Sequence, residues 1–124
     1  MSIPLAEIYQ RTGAKLEILR ADESLAAEDG ELIAETYAGL HDQLLSEGLM
    51  TWSVTDEVPE WAALIMVDML SAMLVDQFGV EEPRRSIVVA EGILGSSPVS
   101  PAERKLRRQL ALPYVTNVLK TEYF

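Results

Sequence analysis

The sequence contains no cysteine and a single histidine, His41. Without cysteine there is no disulfide framework and no thiolate metal site, a composition suited to a reducing compartment. His41 sits in the stretch GLHDQL and reads as a surface helix residue. No motif surrounds any serine, so no Ser-His-Asp set can be assembled. Phosphate-cradling glycine loops are missing as well. Gly13, Gly30, Gly39, Gly48, Gly79, Gly92 and Gly95 fall mostly where helices should stop. The first residues, MSIPLAEIYQRTG, have no basic stretch followed by an apolar one, so no signal peptide is expected. The longest apolar run, Trp61–Val67, is far shorter than the roughly 20 residues that span a bilayer. A soluble, intracellularly made protein is the expectation.

Carboxylates, by contrast, are plentiful, which keeps an acid/base pair or a hard-cation site open in principle. The densest group, Asp22, Glu23, Glu28 and Asp29, lacks the alternating ligand spacing of an EF-hand loop and reads as a solvated face. No enzyme, metal or cofactor is expected.

What is present is apolar bulk and an uneven charge. Apolar residues make up 48% of the 124, enough for one packed domain. Residues 1–82 carry 3 basic and 17 acidic side chains, a balance of −14, whereas residues 83–124 carry 7 basic and 3 acidic, a balance of +4. The acidic bulk argues against wrapping nucleic acid. The asymmetry suits a head-to-tail contact between copies, which closes into a ring if the rotation allows. A solvated surface with accidental bias is the plainer alternative.

Helix signals dominate. Pro4 opens a short amphipathic helix with Leu5, Ile8 and Tyr9, closed by Gly13. Residues 14–25 read as a loop that Leu16 and Ile18 can pin to the core. Ile33, Tyr37, Leu40 and Leu44 are spaced +4, +3, +4, predicting a helix over 26–47 capped at Gly48, with Leu49 folding back on Leu44. Met50–Val54 is extended, a short strand or a loop. Pro59 starts a third helix running to Phe78 and stopped by Gly79. It is apolar almost all round, leaving only a polar strip at Glu60, Asp68 and Ser71, and so needs cover on every side. Part of that cover is expected from another subunit. Pro83 opens a fourth helix to about Gly92, with Ile87, Val88 and Ile93 inward. After the GSSPVSP linker, Ser100-Pro101-Ala102-Glu103 has the form of a capping box, starting a fifth helix at Pro101 that ends near Leu110.

That fifth helix carries Arg104, Lys105, Arg107 and Arg108 on an otherwise acidic chain. The segment after it, ALPYVTNVLKTEYF, cannot stay helical past Pro113 and would expose Tyr114, Tyr123 and Phe124. Such a segment suits extended docking along a partner, the alternative being that it folds back on its own core. The expected division is a helical core over 1–110 and a docking tail over 111–124.

Several of these features recur together in one known family. They are a short first helix ending at Gly13 and a long acidic helix with Tyr37, Leu40 and Leu44. Next come a Gly48–Trp52 turn leading through DEVPEW into an apolar helix ending at Phe78-Gly79, and a basic RRQ helix followed by LPYV and YF. In this order, over nearly the whole chain, the sequence resembles the head–tail connector (portal adaptor, or tail accessory factor) proteins of tailed bacteriophages. The resemblance implies an all-α subunit assembling as twelve copies into a virion ring at the head–tail junction. The ring lies beneath the portal protein and above a downstream tail protein, and packaged DNA passes through it without sequence-specific binding. It makes Arg104, Arg107, Arg108, Pro113, Tyr114, Tyr123 and Phe124 candidate docking residues. The carboxylates of the second helix become candidates for a channel lining along which DNA slides by repulsion. From the residues alone, a small acidic regulatory or antitoxin-like binding module is the competing reading.

Overall fold

Prolines open four of the five helices of this chain, and left-handed residues follow the first three. The computed structural model describes residues 2–19 and 23–110. In chain order these form β1 (Ser2–Ile3), α1 (Leu5–Lys15), α2 (Ala27–Ser46), β2 (Val58–Pro59), α3 (Glu60–Leu74) and α4 (Arg84–Gly92), followed by α5 over residues 101–110. The result is the expected all-α bundle, with one addition. β1 pairs antiparallel with β2, Ser2 opposite Pro59 and Ile3 opposite Val58. Val58 is extended because Pro59 follows it, and that extension is what the first residues pair with. Met50–Val54, the other candidate strand, forms none; Leu49 and Met50 are buried and the chain then turns, with Asp56 N–H donating to the Ser53 carbonyl at 3.0 Å.

The stripe on α2 behaves as its spacing requires: Ile33, Tyr37, Leu40 and Leu44 are all buried. Its end is a Schellman motif. Gly48 takes φ +74°, Leu49 N–H donates to the Leu44 carbonyl at 2.8 Å, and Gly48 N–H donates to that of Leu45 at 3.1 Å.

α3 is the centre of the bundle. Nine of its 15 residues are buried, because α1, α2 and α4 all pack on it. The helix stops at Leu74 rather than Phe78, and residues 75–79 continue as a turn capped by Gly79 at φ +64°, with Val80 N–H on the Val75 carbonyl at 3.0 Å. Of the polar strip, Glu60 is exposed, but Asp68 and Ser71 do not face water. Asp68 is largely covered by Lys15, and Ser71 is buried with its hydroxyl unpartnered among the described residues. Solvent instead meets Trp61, Leu64 and Met73. Asp68 is inside because two helices close on it, α1 with an ammonium and α4 with a bare backbone.

A second helix boundary and one helix face also depart from expectation. α1 runs through Gly13 to Lys15, and Gly13 is a packing position: a methyl group there would lie 2.8 Å from Leu25 Cδ1 and 2.9 Å from Leu19 Cδ2. The Schellman cap falls four residues later, on Glu17 at φ +61°, with Ile18 N–H on the Gly13 carbonyl. Leu16 is buried and Ile18 partly so, as expected of the connecting segment. α4 is rotated from the predicted face. Val88 is buried, but Ile87 and Ile93 are 57% and 39% exposed, and Val89 packs on the core instead.

The reason lies at Gly92, where an added Cβ would stand 2.0 Å from the Asp68 carbonyl oxygen. Backbone meets backbone there, and that contact fixes which side of α4 faces α3. Lys15 secures the crossing, its Nζ 2.5 Å from Asp68 and 2.9 Å from Glu91. Gly92→Ala must push the helices apart and is expected to cost about 1–3 kcal/mol. Urea unfolding checks this; an unchanged midpoint would mean that α4 does not rest on α3 at Gly92.

Candidate functional site

α5 starts where the linker serines and prolines end. The buried Ser100 caps it, its hydroxyl oxygen accepting from Glu103 N–H at 3.3 Å. Glu103 departs from the capping-box pattern. Its carboxylate reaches out to Gly95 N–H, 2.8 Å away, and its other oxygen accepts from Arg107 Nε at 2.8 Å. At 2% exposure it is one of the most buried charges in the protein, and Arg107 is its counter-ion. Burial pushes the Glu103 carboxyl up, but the Gly95 hydrogen bond and the Arg107 guanidinium outweigh it and hold it below the usual range. Arg107 also reaches Glu47 at the end of α2, 3.4 Å away. Of the basic residues grouped by sequence, Arg107 therefore faces its own chain. Ala102 and Leu106 on the same side anchor α5 to the core.

The opposite side is different. Arg104, Lys105 and Arg108 are exposed. Among the described residues Arg11, Lys15, Arg84, Arg85 and Arg107 all form ion pairs, and these three cations do not. Lys105, Arg108 and Gln109 wall a cleft of about 250 Å³ whose other side is Trp61, Leu64 and Ile65 from α3. Leu64 is 61% exposed, the most open large apolar side chain described. A cleft with an apolar floor and a cationic wall suits a partner bearing carboxylates beside apolar groups.

Trp61 is held by Trp52, their rings edge to face with centroids 6.0 Å apart. Trp52 is held in turn. Its indole N–H donates to the Tyr37 hydroxyl at 2.9 Å, and its carbonyl accepts from His41 Nε2 at 2.6 Å. His41, expected at the surface, is thus a 7% exposed packing residue on the inner side of α2. Burial, with a lesser push from the Asp56 charge, raises the Tyr37 phenol above its ordinary value despite the Trp52 bond. Together these contacts brace the floor of the cleft.

A larger cleft, about 660 Å³, lies between Lys15, Glu17, Pro83, Arg84, Ile87 and Glu91. Its charges are matched pairwise, Lys15 with Asp68 and Glu91, Arg84 with Glu17 at 3.3 Å. Among the described residues no group of three or more His, Cys, Asp or Glu side chains is arranged to hold a metal ion, and no helix is long and apolar enough to cross a membrane.

Of the candidate docking residues, Arg104 and Arg108 are brought together on one face, and Arg107, half-exposed, is paired with Glu103 and Glu47 of its own chain. Pro113, Tyr114, Tyr123 and Phe124 lie outside the described residues, as does the whole 111–124 segment. Sequence reasoning did not single out Trp61 and Leu64 for this face; the signal that marks them is the all-round apolar character of α3. No protein-family model, curated protein or solved structure matches this chain.

The depressed Glu103 carboxyl makes a prediction about acid. A group whose folded pKa lies below its unfolded value, about 4.3 for glutamate, adds stability above that value. That stability is lost as pH falls through the folded pKa. Glu103→Gln should therefore destabilise the protein at pH 7 and flatten the stability loss below about pH 4.3. Chemical denaturation between pH 3 and 7 reads both, and parallel curves for the two proteins would remove Glu103 from the account.

Proposed function

We propose that this chain is a structural assembly protein, a head–tail connector subunit that forms a ring beneath the portal of a tailed bacteriophage and extends its DNA channel. The observation that carries the reading is the unpaired cationic face of α5. Arg104, Lys105 and Arg108 lie together, beside exposed Trp61 and Leu64, immediately before the apolar and aromatic 111–124 segment. A chain with a net charge of −10 whose unpaired cations, among the described residues, gather on one helix has a surface suited to a partner. The resemblance in element order supports a portal and a neighbouring subunit as the partners. The acidic outer face of α2, with Glu28, Glu31, Glu35 and Asp42 exposed, suits a wall that repels DNA and lets it slide. In this reading the subunit does no chemistry, and what it supplies is shape, charge and a docking segment.

Portal protein from the same genome, assembled and immobilised, should capture the full chain. Imaging of the complex should show a closed ring on the portal's narrow end. Removing Leu112–Phe124 should leave the thermal unfolding of the helical core unchanged, because the buried core described here lies within residues 8–106, and should abolish capture. If the truncated chain unfolds, the segment belongs to the core and the docking assignment fails. If the intact chain is not captured at all, the small acidic regulatory module is the better reading.

A further inference from the structure

The outer ridge of α2 is a single line of exposed residues at helical spacing: Glu28, Glu31, Glu35, Ala38, Asp42 and Leu45. None of its four carboxylates forms an ion pair among the described residues. On α5 the unpaired cations repeat the same interval, Arg104 and Arg108 being four residues apart, as are Glu31 and Glu35. Side chains four apart on a helix stand about 5–6 Å from each other, so the two pairs match in register as well as in sign.

They cannot meet within one chain in this fold. Arg107 ties α5 to Glu47, at the C-terminal end of α2. Glu35 lies 12 residues before Glu47, about 18 Å up the helix at 1.5 Å per residue. The acidic half of the ridge is therefore away from the chain's own α5 and free for another copy. Apolar surface adjoins the charges on both sides, Ala38 next to the carboxylates, Trp61 and Leu64 next to the cations.

We infer that a second copy of this chain is the occupant, with the Glu31/Glu35 ridge of one subunit seated on the Arg104/Arg108 face of the next. The proposal rests on the ring reading and deepens it by naming the subunit contact. Two different surfaces meet, so each added copy presents the same pair of free ends. Such a contact propagates until a rotation closes it. Exposed ion pairs are individually weak and are screened by salt, so the contact is reversible and sensitive to ionic strength.

The absence of cysteine allows a direct test. Two double variants, E35C/R104C and E35C/R108C, cover antiparallel and parallel docking of the helices, and each keeps one native charge on either side. Oxidised at low ionic strength, one of them should give a ladder of dimers, trimers and higher species on a non-reducing gel. The single variants E35C, R104C and R108C should stop at the dimer. About 0.5 M salt during oxidation should cut the ladder at least tenfold by screening.

Charge reversal gives an independent reading at exposed positions. In full-length chains that otherwise keep both cysteines of the laddering pair, reversing Glu31 alone (E31R) or the remaining α5 arginine alone should remove the ladder. Mixing the two variants should restore it. No species above the dimer from either double variant would overturn the proposal, as would a ladder indifferent to salt and to charge reversal. Capture by portal without a ladder leaves the connector and removes this interface. A ladder without capture keeps the interface and removes the connector.

Discussion

The covering of α3 is the constraint on which the bundle depends. A helix with apolar residues on nearly every side is unstable in water until most of its circumference is packed. Three helices supply that packing here, and each must approach closely. α2 presents its aliphatic and tyrosine stripe. α1 contributes Ile8 and sends Lys15 across to Asp68. α4 comes nearest of all, since Gly92 leaves room for the Asp68 carbonyl where any side chain would collide. The one carboxylate that α3 carries in its interior is thereby covered and neutralised at once. A buried charge is tolerable only with such a partner, so the Lys15–Asp68–Glu91 group is a condition of the crossing as much as an addition to it.

How much of this was legible in the sequence follows from the range over which each feature is determined. The α2 stripe, the Gly48 and Gly79 caps and the Ser100 cap are set by residues within one or two turns, and all are in place. The end of α1 is not local in that sense. Gly13 looks like a stop, yet the helix needs its missing side chain so that Leu19 and Leu25 can fold over it, and Glu17 accepts the left-handed cap instead. The face of α4 was misread because hydrophobic periodicity weighs Ile87 above Gly92, whereas close approach weighs the absence of a side chain more. His41 was misplaced for a similar reason: its partner is a backbone carbonyl eleven residues away, in a loop that has no periodicity to read.

The candidate site divides along the same line. Sequence could gather Arg104, Lys105, Arg107 and Arg108 on one helix but could not separate them, because what separates them is a tertiary fact. Arg107 points toward buried Glu103 and toward Glu47, and its charge is consumed within the fold. The others form no ion pair among the described residues. The same holds for Trp61 and Leu64, whose exposure appears only once the rest of α3 is covered. The candidate surface is in this sense what folding leaves over, the part of a cationic helix and an apolar helix that the packing of the described residues leaves unused.

That remainder also explains why Glu103 is buried and charged. A neutral residue at this position would fill the space beneath α5 but would leave Arg107 free to join the outward cations, and Gly95 N–H without an acceptor. With the carboxylate there, α5 is clamped to α2 through Arg107, and its rotation about its own axis is fixed. Fixing that rotation sets the direction in which Arg104 and Arg108 project. Weak, salt-screened pairs discriminate between partners only if the charges are held in a defined geometry, since flexible ones would pair with any acidic surface. Under the connector reading, specificity of docking therefore comes less from the exposed arginines themselves than from the pairing of Arg107 with the buried Glu103 and with Glu47.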